Sequence, residues 1–230
     1  MTKTQMPFRI FVGYDRSEIV AYHTFCQSII AISTVPISFT PLALNHLSSS
    51  FERPRDPLQS TDFSFSRFLV PYLSGYEGWS LFADGDMLLR FDIAELIKLV
   101  DENHSVMVCQ HDYTPRSEFK FLDHKQTKYV KKNWSSLMLF NNSKCKALTP
   151  AYVNSASGLE LHQFKWLASE DEIGALPLEW NWLVGEYEKT SSAKLVHFTL
   201  GGPYFRDFAE SDYAEEWLCV KDEMTSSKQK

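Results

Sequence analysis

The chain has 230 residues, of which 44% are hydrophobic and 14% aromatic, so it can bury a substantial core and fits neither the low-complexity nor the fibrous classes. Its 29 acidic residues outnumber its 23 basic ones, and no Lys/Arg run precedes the short C-terminal tail, which argues against nucleic acid as a partner. A chain of this charge that binds a polyphosphate ligand is expected to recruit a metal ion.

The first elements along the chain predict a β-α-β unit. Residues 8–12 (FRIFV) are typical of a buried strand, which ends at Gly13-Tyr14-Asp15. Apolar residues at helical spacing predict a helix over 16–31, with Asp15 or Ser17 as its cap. Residues 35–44 predict a second strand. This order favours an α/β fold with a parallel sheet.

A long polar segment then separates the second strand from a predicted helix. Residues 45–62 are polar and broken by prolines, and a loop longer than about 12 to 15 residues is more often functional than passive. The helix predicted over 64–73 carries Phe65 and Phe68 on one side and Arg67 on another. A strand that ends at Ala83 follows it.

The second half alternates strand-like and irregular segments. Residues 92–101 predict a short helix capped by Asp92, and residues 207–224 predict a closing helix. The predicted strands are 105–110, 136–141 and 193–198, and the predicted loops are 111–133 and 171–185. We expect one domain over residues 1–230, with flexible tails at 1–7 and 225–230.

The ends and the cysteines predict the cellular location. The N-terminus has no apolar signal region, and no run of about 18 apolar residues occurs, so no transmembrane segment is expected. The four cysteines form no C-x-x-C pair and signal neither zinc nor a disulfide framework. Together these features predict a cytoplasmic protein.

The stretch Asp84-Gly85-Asp86 places two acids between the hydrophobic runs LFA and MLL. Burying a carboxylate is costly unless it is compensated, and side chains two positions apart on a strand point the same way. A divalent cation would remove the repulsion between the two charges. A surface turn or a hairpin is the alternative explanation, since Asp and Gly favour turns.

His197, at the end of the strand-like KLVHF, is the candidate for a third ligand. Two carboxylates and an imidazole suit Mn²⁺ or Mg²⁺ holding a diphosphate better than they suit structural zinc. The alternative is an ordinary core histidine with a backbone partner.

Several segments, taken in order, resemble a known family. VGYD, SFSRFLVPYL before LFADGD, WSSLMLFNN, LPLEWNWL and VHFTLGGPYF are similar to glycosyltransferases of the GT-A fold, in particular the retaining glycosyltransferase family 8 and its bacterial relatives. The resemblance runs from about residue 8 to residue 206. It implies a Rossmann-like α/β fold with a mostly parallel central sheet flanked by helices. It also implies metal-dependent transfer of a sugar from a nucleotide-sugar donor, most simply a UDP-sugar, to an acceptor hydroxyl, with retention.

The resemblance also implies roles for individual residues. Asp84 would contact ribose and metal, Asp86 would bind the metal directly, and His197 would be the late histidine ligand. Arg67 would lie near the two acids and the donor sugar, with a surface salt bridge as the alternative. The base and ribose pocket would be formed by Phe11, Gly13, Tyr14 and Asp15.

The contacts to donor sugar or acceptor are expected at Ser135, Trp180 and Asn181, in addition to Arg67. Indole faces stack on sugar rings, and an asparagine offers both a donor and an acceptor to hydroxyls, although packing would explain the two aromatic residues of Trp180-Asn181-Trp182 equally well.

The sequence departs from the family pattern at several places. Gly202 stands where the family has a lysine that meets a donor phosphate, and Arg206 or Lys194 would have to replace it. The segment Trp134-Ser135-Ser136 replaces Asn-Ala-Gly, and the family's Asp-Gln pair is not evident near residues 170–172.

Two other functions remain open at this point. One is a non-catalytic nucleotide-sugar or glycan-binding module of the same fold. The other is a haloacid-dehalogenase-type phosphatase with a phospho-aspartate at Asp84, although in that class the D-x-D motif opens the fold.

Overall fold

The computed structural model of the protein describes residues 6–56, 59–112 and 130–226. The predicted tails therefore fall mostly outside the described residues, as does most of the loop predicted over 111–133. No helix in the described ranges combines the length and the apolar character needed to cross a membrane.

The described residues form nine strands and six α-helices. The strands are β1 (Phe8–Gly13), β2 (Ile37–Leu42), β3 (Trp79–Ala83), β4 (Met87–Leu89), β5 (Val106–Cys109), β6 (Leu137–Asn141), β7 (Ile173–Leu176), β8 (Trp182–Leu183) and β9 (Leu195–His197). The helices are α1 (Ile19–Ile32), α2 (Val70–Leu73), α3 (Ile93–Ile97), α4 (Pro150–Ser155), α5 (Gly158–His162) and α6 (Ala214–Thr225).

The main sheet has six strands in the order β2-β1-β3-β6-β5-β7, and a second sheet has the order β4-β9-β8. All strands of the main sheet run parallel except β6, which is antiparallel to both of its neighbours. The predicted α/β class, the parallel β-α-β start and the mostly parallel sheet are thereby confirmed.

Helices cover both faces of the main sheet because its strands alternate between two apolar clusters. On β3, Phe82 packs in the cluster that includes Phe68 and Phe140, whereas Leu81 packs in the one that includes Phe25 and Ile29 of α1. A third apolar cluster joins the small sheet to Trp217 of α6. Strands buried on both faces read as continuous hydrophobic runs, which is why the sequence revealed them.

Several element predictions need correction. The predicted loop 171–185 contains β7 and β8, which are only four and two residues long and form through pairing with distant strands. The helix predicted over 64–73 begins as a 3₁₀ turn (Ser66–Leu69), and the closing helix begins later than predicted, at Ala214. Such short pieces carry too little periodicity to be recognised.

The helix caps were predicted with mixed success. Asp92 caps α3 by accepting a hydrogen bond from the Ala94 N–H at 3.0 Å, as predicted. Neither Asp15 nor Ser17 caps α1, whose N-cap residue is Glu18 without a side-chain cap bond. Asp15 instead accepts from the Ser17 N–H and from the Asp62 N–H, both at 2.8 Å. It therefore ties the end of β1 to the polar segment 45–62.

The ends of β1 and β3 approach each other closely at Gly85. A Cβ atom at Gly85 would lie 2.5 Å from the carbonyl oxygen of Gly13. No side chain larger than hydrogen fits there without displacing one of the two backbones.

We expect Gly85→Ala to lower the free energy of unfolding by about 1–3 kcal/mol, because the added methyl group overpacks two backbone segments. Urea denaturation measures the loss. Gly75→Asn is the control, since Gly75 has φ +64° and nothing within 4 Å of its Cβ position, and asparagine tolerates that conformation. Equal stability of Gly85→Ala and the wild type would contradict the close approach.

Candidate metal centre and its surroundings

The Asp84-Gly85-Asp86 stretch is the crossing from the main sheet to the small sheet. Asp84 follows β3 and Asp86 precedes β4, and these two strands belong to different sheets, so the hairpin alternative is wrong. β4 pairs with β9 in a register that sets Met87 opposite His197, and the Phe198 N–H donates to the Asp86 carbonyl at 2.9 Å. The backbone thereby brings His197 to the two acids from more than 100 residues away in sequence.

Asp84, Asp86 and His197 together could hold a metal ion. The His197 Nε2 atom lies 3.4 Å from Asp86 Oδ1 and 4.0 Å from Asp84 Oδ2. One ligand atom from each of the three residues lies within 4.8 Å of the others. Two carboxylates and one imidazole form a donor set that fits a divalent cation with further coordination positions left for a ligand.

Asn181 orients His197 from behind. The Asn181 Nδ2 group donates to Ser136 Oγ at 2.8 Å, which leaves the amide oxygen facing His197 Nδ1 at 3.1 Å. His197 Nδ1 then donates to this oxygen, so Nε2 is the ring nitrogen that faces the two acids. Histidines that bind metals are commonly fixed by a second hydrogen bond of this kind.

Both ends of the fully buried Asn181 amide bind within the protein, and the predicted contact of Asn181 with a sugar stays a prediction. Trp180 is only 1% exposed and packs in the core with Leu176 and Leu195, so its indole faces are not available for stacking. The packing alternative holds for Trp180.

Arg67 forms a buried ion pair with Asp84, so the surface salt bridge considered from the sequence is wrong. Arg67 Nη1 lies 2.8 Å from Asp84 Oδ1 and also donates to the Ser135 carbonyl at 2.9 Å. Its guanidinium carbon lies 4.9 Å from the Phe82 ring centroid and 5.2 Å from that of Phe63. Arginine suits such a site because its planar group stacks and binds carboxylates together.

Ser135 does not present its hydroxyl to the metal centre. Its Oγ atom pairs with His162 Nδ1 at 2.7 Å, and the residue is buried. Burial, followed by the charges of Arg67 and Arg53, lowers the pKa of His162 to about 3, so this histidine is neutral. Ser135 thus contributes its backbone carbonyl to Arg67, and its predicted contact with a sugar stays a prediction.

The predicted base and ribose pocket at the end of β1 is only partly open. Phe11 is buried in the core, and the Phe63 ring lies against Gly13, where a Cβ would be 2.5 Å from the ring. Tyr14 keeps a half-buried ring, edge-on to Tyr22 with centroids 5.3 Å apart. Of the predicted residues, Tyr14 therefore offers the most accessible surface here.

Glu18 adds a further acid that the sequence analysis did not single out. It is buried at the start of α1, and its carboxylate accepts a hydrogen bond from the Tyr204 hydroxyl. Burial, then the negative charge of Asp86 and, more weakly, those of Asp15 and Asp84, raise the pKa of Glu18 to about 8, against the opposing effect of the Tyr204 bond. The only sequence signal was its position three residues after Asp15.

Gly202, where the family pattern has a lysine, is covered by an aromatic ring. A Cβ at Gly202 would lie 2.2 Å from Cε1 of Tyr204. Of the two predicted substitutes for the lysine, Lys194 pairs with Glu95 and Glu179, and Arg206 is exposed in a 3₁₀ turn.

Arg67→Met should lower the free energy of unfolding by about 3–5 kcal/mol, because it leaves Asp84 without its buried cation. Urea denaturation in the presence of a chelator measures this loss. The double variant Arg67→Met/Asp84→Asn should recover part of it, since the uncompensated charge is then gone. A loss below about 1 kcal/mol would mean that the pair behaves as a surface pair.

Glu18→Gln should stabilise the metal-free protein increasingly as the pH rises from 5 to 8. The folded-state pKa of Glu18 lies above its usual value of 4.5, so its stabilising contribution is complete below pH 4.5 and is lost as the pH rises through about 8. Each pH unit within this window changes the difference by at most about 1.4 kcal/mol. Urea titrations at several pH values, with the exposed Glu210→Gln as control, test it. A pH-independent difference would contradict the raised pKa.

Comparisons with known proteins give a relative in sequence and structural relatives with the same fold. A scan against models of known protein families finds no match. Protein CDI from Arabidopsis thaliana is 43% identical over 233 residues, which cover 97% of this chain and 90% of the plant protein.

Solved structures of glycosyltransferases have the same fold at low sequence identity. An active-site mutant of LgtC matches with a TM-score of 0.63 and 12% identity, over 96% of this chain and 98% of LgtC. LgtC in complex with donor and acceptor sugar analogues matches at 0.59 and 11%, over the same shares of the two chains. The bifunctional glycosyltransferase WbbM matches at 0.61 and 13%, over 94% of this chain, which spans 49% of WbbM.

The predicted GT-A fold is thereby confirmed, whereas the narrower assignment to glycosyltransferase family 8 stays a prediction. With 43% identity over nearly its whole length, the chain belongs to the family of Protein CDI, and its fold is that of the GT-A glycosyltransferases.

Proposed function

We propose that the chain is a metal-dependent glycosyltransferase that transfers a sugar from a nucleotide diphosphate sugar to an acceptor hydroxyl. The observation that carries this proposal is the convergence of Asp84, Asp86 and His197 at the strand-end edge of a GT-A sheet. In open α/β sheets, ligands bind at the carboxyl ends of the parallel strands. An acidic site can hold a diphosphate there only if a cation lies between the like charges.

The proposed cofactor is Mn²⁺, with Mg²⁺ as the substitute. Asp86 and His197 would be its direct ligands, and Asp84 would be shared between the metal, the ribose and Arg67. The imidazole in the ligand set favours Mn²⁺, because Mg²⁺ prefers oxygen ligands alone. When bound, such a metal neutralises the charge that develops on the leaving diphosphate.

The protein's own side chains would fix the geometry of the transfer. Asn181 holds the His197 ring through its Nδ1 atom, so the metal ligand is already oriented before the metal binds. Arg67 is held by Asp84, Ser135 and two aromatic rings, so it would present a fixed positive charge near the donor sugar. Preorganised charges of this kind stabilise a transition state without a cost for reorganisation.

The donor is proposed to be a UDP-sugar, with the nucleotide lying at the end of β1. Tyr14 would contact the base through its accessible ring. Support for UDP and for retention comes from the resemblance to the retaining family rather than from a contact. LgtC, a structural relative of this chain, is known in complex with donor and acceptor sugar analogues.

A non-catalytic binding module of the same fold is the second candidate. It is favoured by one observation: the side chains of Ser135, Trp180 and Asn181, which were expected to meet the sugar, all bind or pack within the protein. The phosphatase alternative loses its support, because the Asp-Gly-Asp stretch follows the third strand of a GT-A sheet. The cytoplasmic location stays a prediction.

Thermal unfolding with UDP, with and without Mn²⁺, tests the metal-bridged binding of the donor. A ligand at 100 times its Kd should stabilise the folded protein by about 2.7 kcal/mol, and only when Mn²⁺ is also present. Asp86→Ala should abolish the metal-dependent part of the shift. Asp222→Asn, an exposed acid of α6, should behave like the wild type. Equal shifts without Mn²⁺ would overturn the metal bridge.

Turnover separates the enzyme from the binding module. We expect the wild type with Mn²⁺ to hydrolyse or transfer at least one sugar from a panel of UDP- and GDP-sugars, and Asp86→Ala to lose that activity. Released nucleoside diphosphate is the readout. Binding of a donor without any release would favour the module.

A further inference from the structure

We propose that Tyr204 is a further substrate-binding residue, whose hydroxyl donates a hydrogen bond to the donor's diphosphate, and that Glu18 positions it. This inference rests on the proposed function. It goes beyond it because it assigns the phosphate contact, which the family pattern places on a lysine at position 202, to a different side chain, that of Tyr204.

The loop that carries Tyr204 is anchored at the metal centre. It begins directly after His197, where the Phe198 N–H donates to the Asp86 carbonyl at 2.9 Å. It closes on itself through the bond from the Phe205 N–H to the Gly202 carbonyl, also 2.9 Å. The position of the loop therefore follows that of β4 and β9, which also position two of the three candidate metal ligands.

The Tyr204 ring is held in one place by its neighbours. A Cβ at Gly202 would lie 2.2 Å from Cε1 of this ring, so only glycine permits the ring to lie there. On another side it packs against Trp217 of α6, with ring centroids 5.4 Å apart. A phenol ring fixed in this way has little freedom except rotation of its O–H bond, which suits a hydrogen-bond donor that must be ready before a ligand binds.

The Tyr204 hydroxyl points toward the acids at the edge of the sheet. It donates to Glu18, which lies at the start of α1 just after the end of β1. The Glu18 N–H donates to the Asp15 carbonyl at 3.1 Å, just after β1, and the loop of Tyr204 starts at the bond between Phe198 and Asp86, so the Tyr204–Glu18 hydrogen bond connects the end of β1 to the loop that leaves the metal centre. We therefore place the diphosphate, which would join a nucleotide at β1 to a metal at Asp86, beside this pair.

Glu18 and Tyr204 can each donate one hydrogen bond while both are uncharged. The pKa of Tyr204 is raised well above its usual value, chiefly by burial, and the pKa of Glu18 is raised to about 8. A protonated Glu18 can donate to the phenol oxygen while the phenol hydroxyl donates to a phosphate oxygen. The phenol hydroxyl would thus donate to the diphosphate instead of to Glu18. Because Glu18 is protonated in this arrangement, no negative charge of the protein lies beside the diphosphate at this point.

Calorimetric titration of Tyr204→Phe with UDP in the presence of Mn²⁺ tests the contact. We expect a loss of UDP affinity of about 10-fold or more, as for a hydrogen bond to a charged acceptor. The affinities for uridine and for Mn²⁺ alone should stay unchanged, because neither involves the phosphate contact. Tyr213→Phe is the matched control, since its buried hydroxyl bonds to the backbone of Thr190.

Glu18 variants test whether this residue positions the Tyr204 hydroxyl or only packs in the fold. Glu18→Gln keeps groups that can donate to and accept from the phenol, so it should retain UDP affinity within about 3-fold, whereas Glu18→Met should lose as much affinity as Tyr204→Phe. A merely structural role would instead weaken uridine and UDP equally.

The outcomes remain distinguishable from those of the proposed function. If the wild type itself does not bind UDP with Mn²⁺, the proposed function fails. If the wild type binds and Tyr204→Phe binds UDP equally well, or loses uridine affinity to the same extent as UDP affinity, the assignment of Tyr204 is overturned.

Discussion

Repulsion among the carboxylates at the strand-end edge of the main sheet is the constraint on which the rest of the site depends. The structure compensates each of these acids in a different way. Asp84 pairs with buried Arg67, Asp15 accepts two backbone N–H groups, and the raised pKa of Glu18 keeps this carboxyl protonated over most of the neutral range. Asp86 faces the Nε2 atom of His197. A divalent cation at this point would relieve the remaining repulsion and create a site for a diphosphate.

The fold explains how such a cluster can form from distant parts of the sequence. The close approach of Gly85 to Gly13 joins the ends of β1 and β3, and the pairing of β4 with β9 adds the imidazole. The acids therefore lie where two sheets meet, and the backbone bonds of both sheets oppose their separation. Stability and function are linked here, because the contacts that join the two sheets also orient the candidate metal ligands.

The sequence predicted the parts of this arrangement that depend on local pattern. Continuous apolar runs marked the buried strands, and two acids at the end of such a run marked Asp84 and Asp86. The roles of Asn181 and Glu18 could not be predicted, because they arise from contacts with His197 and Tyr204 that are 16 and 186 residues away. The burial of Trp180 could not be predicted for the same reason, because composition does not say which side of a short turn faces the core. Strands as short as β7 and β8 exist only through their partners.

The most direct test of the account is the position of the metal. We expect crystals grown with Mn²⁺ and UDP to show an anomalous scattering peak within bonding distance of Asp86, His197 and the diphosphate. A manganese peak elsewhere, or UDP bound with its diphosphate away from these residues, would contradict the central claim that they form the protein half of a metal-diphosphate bridge.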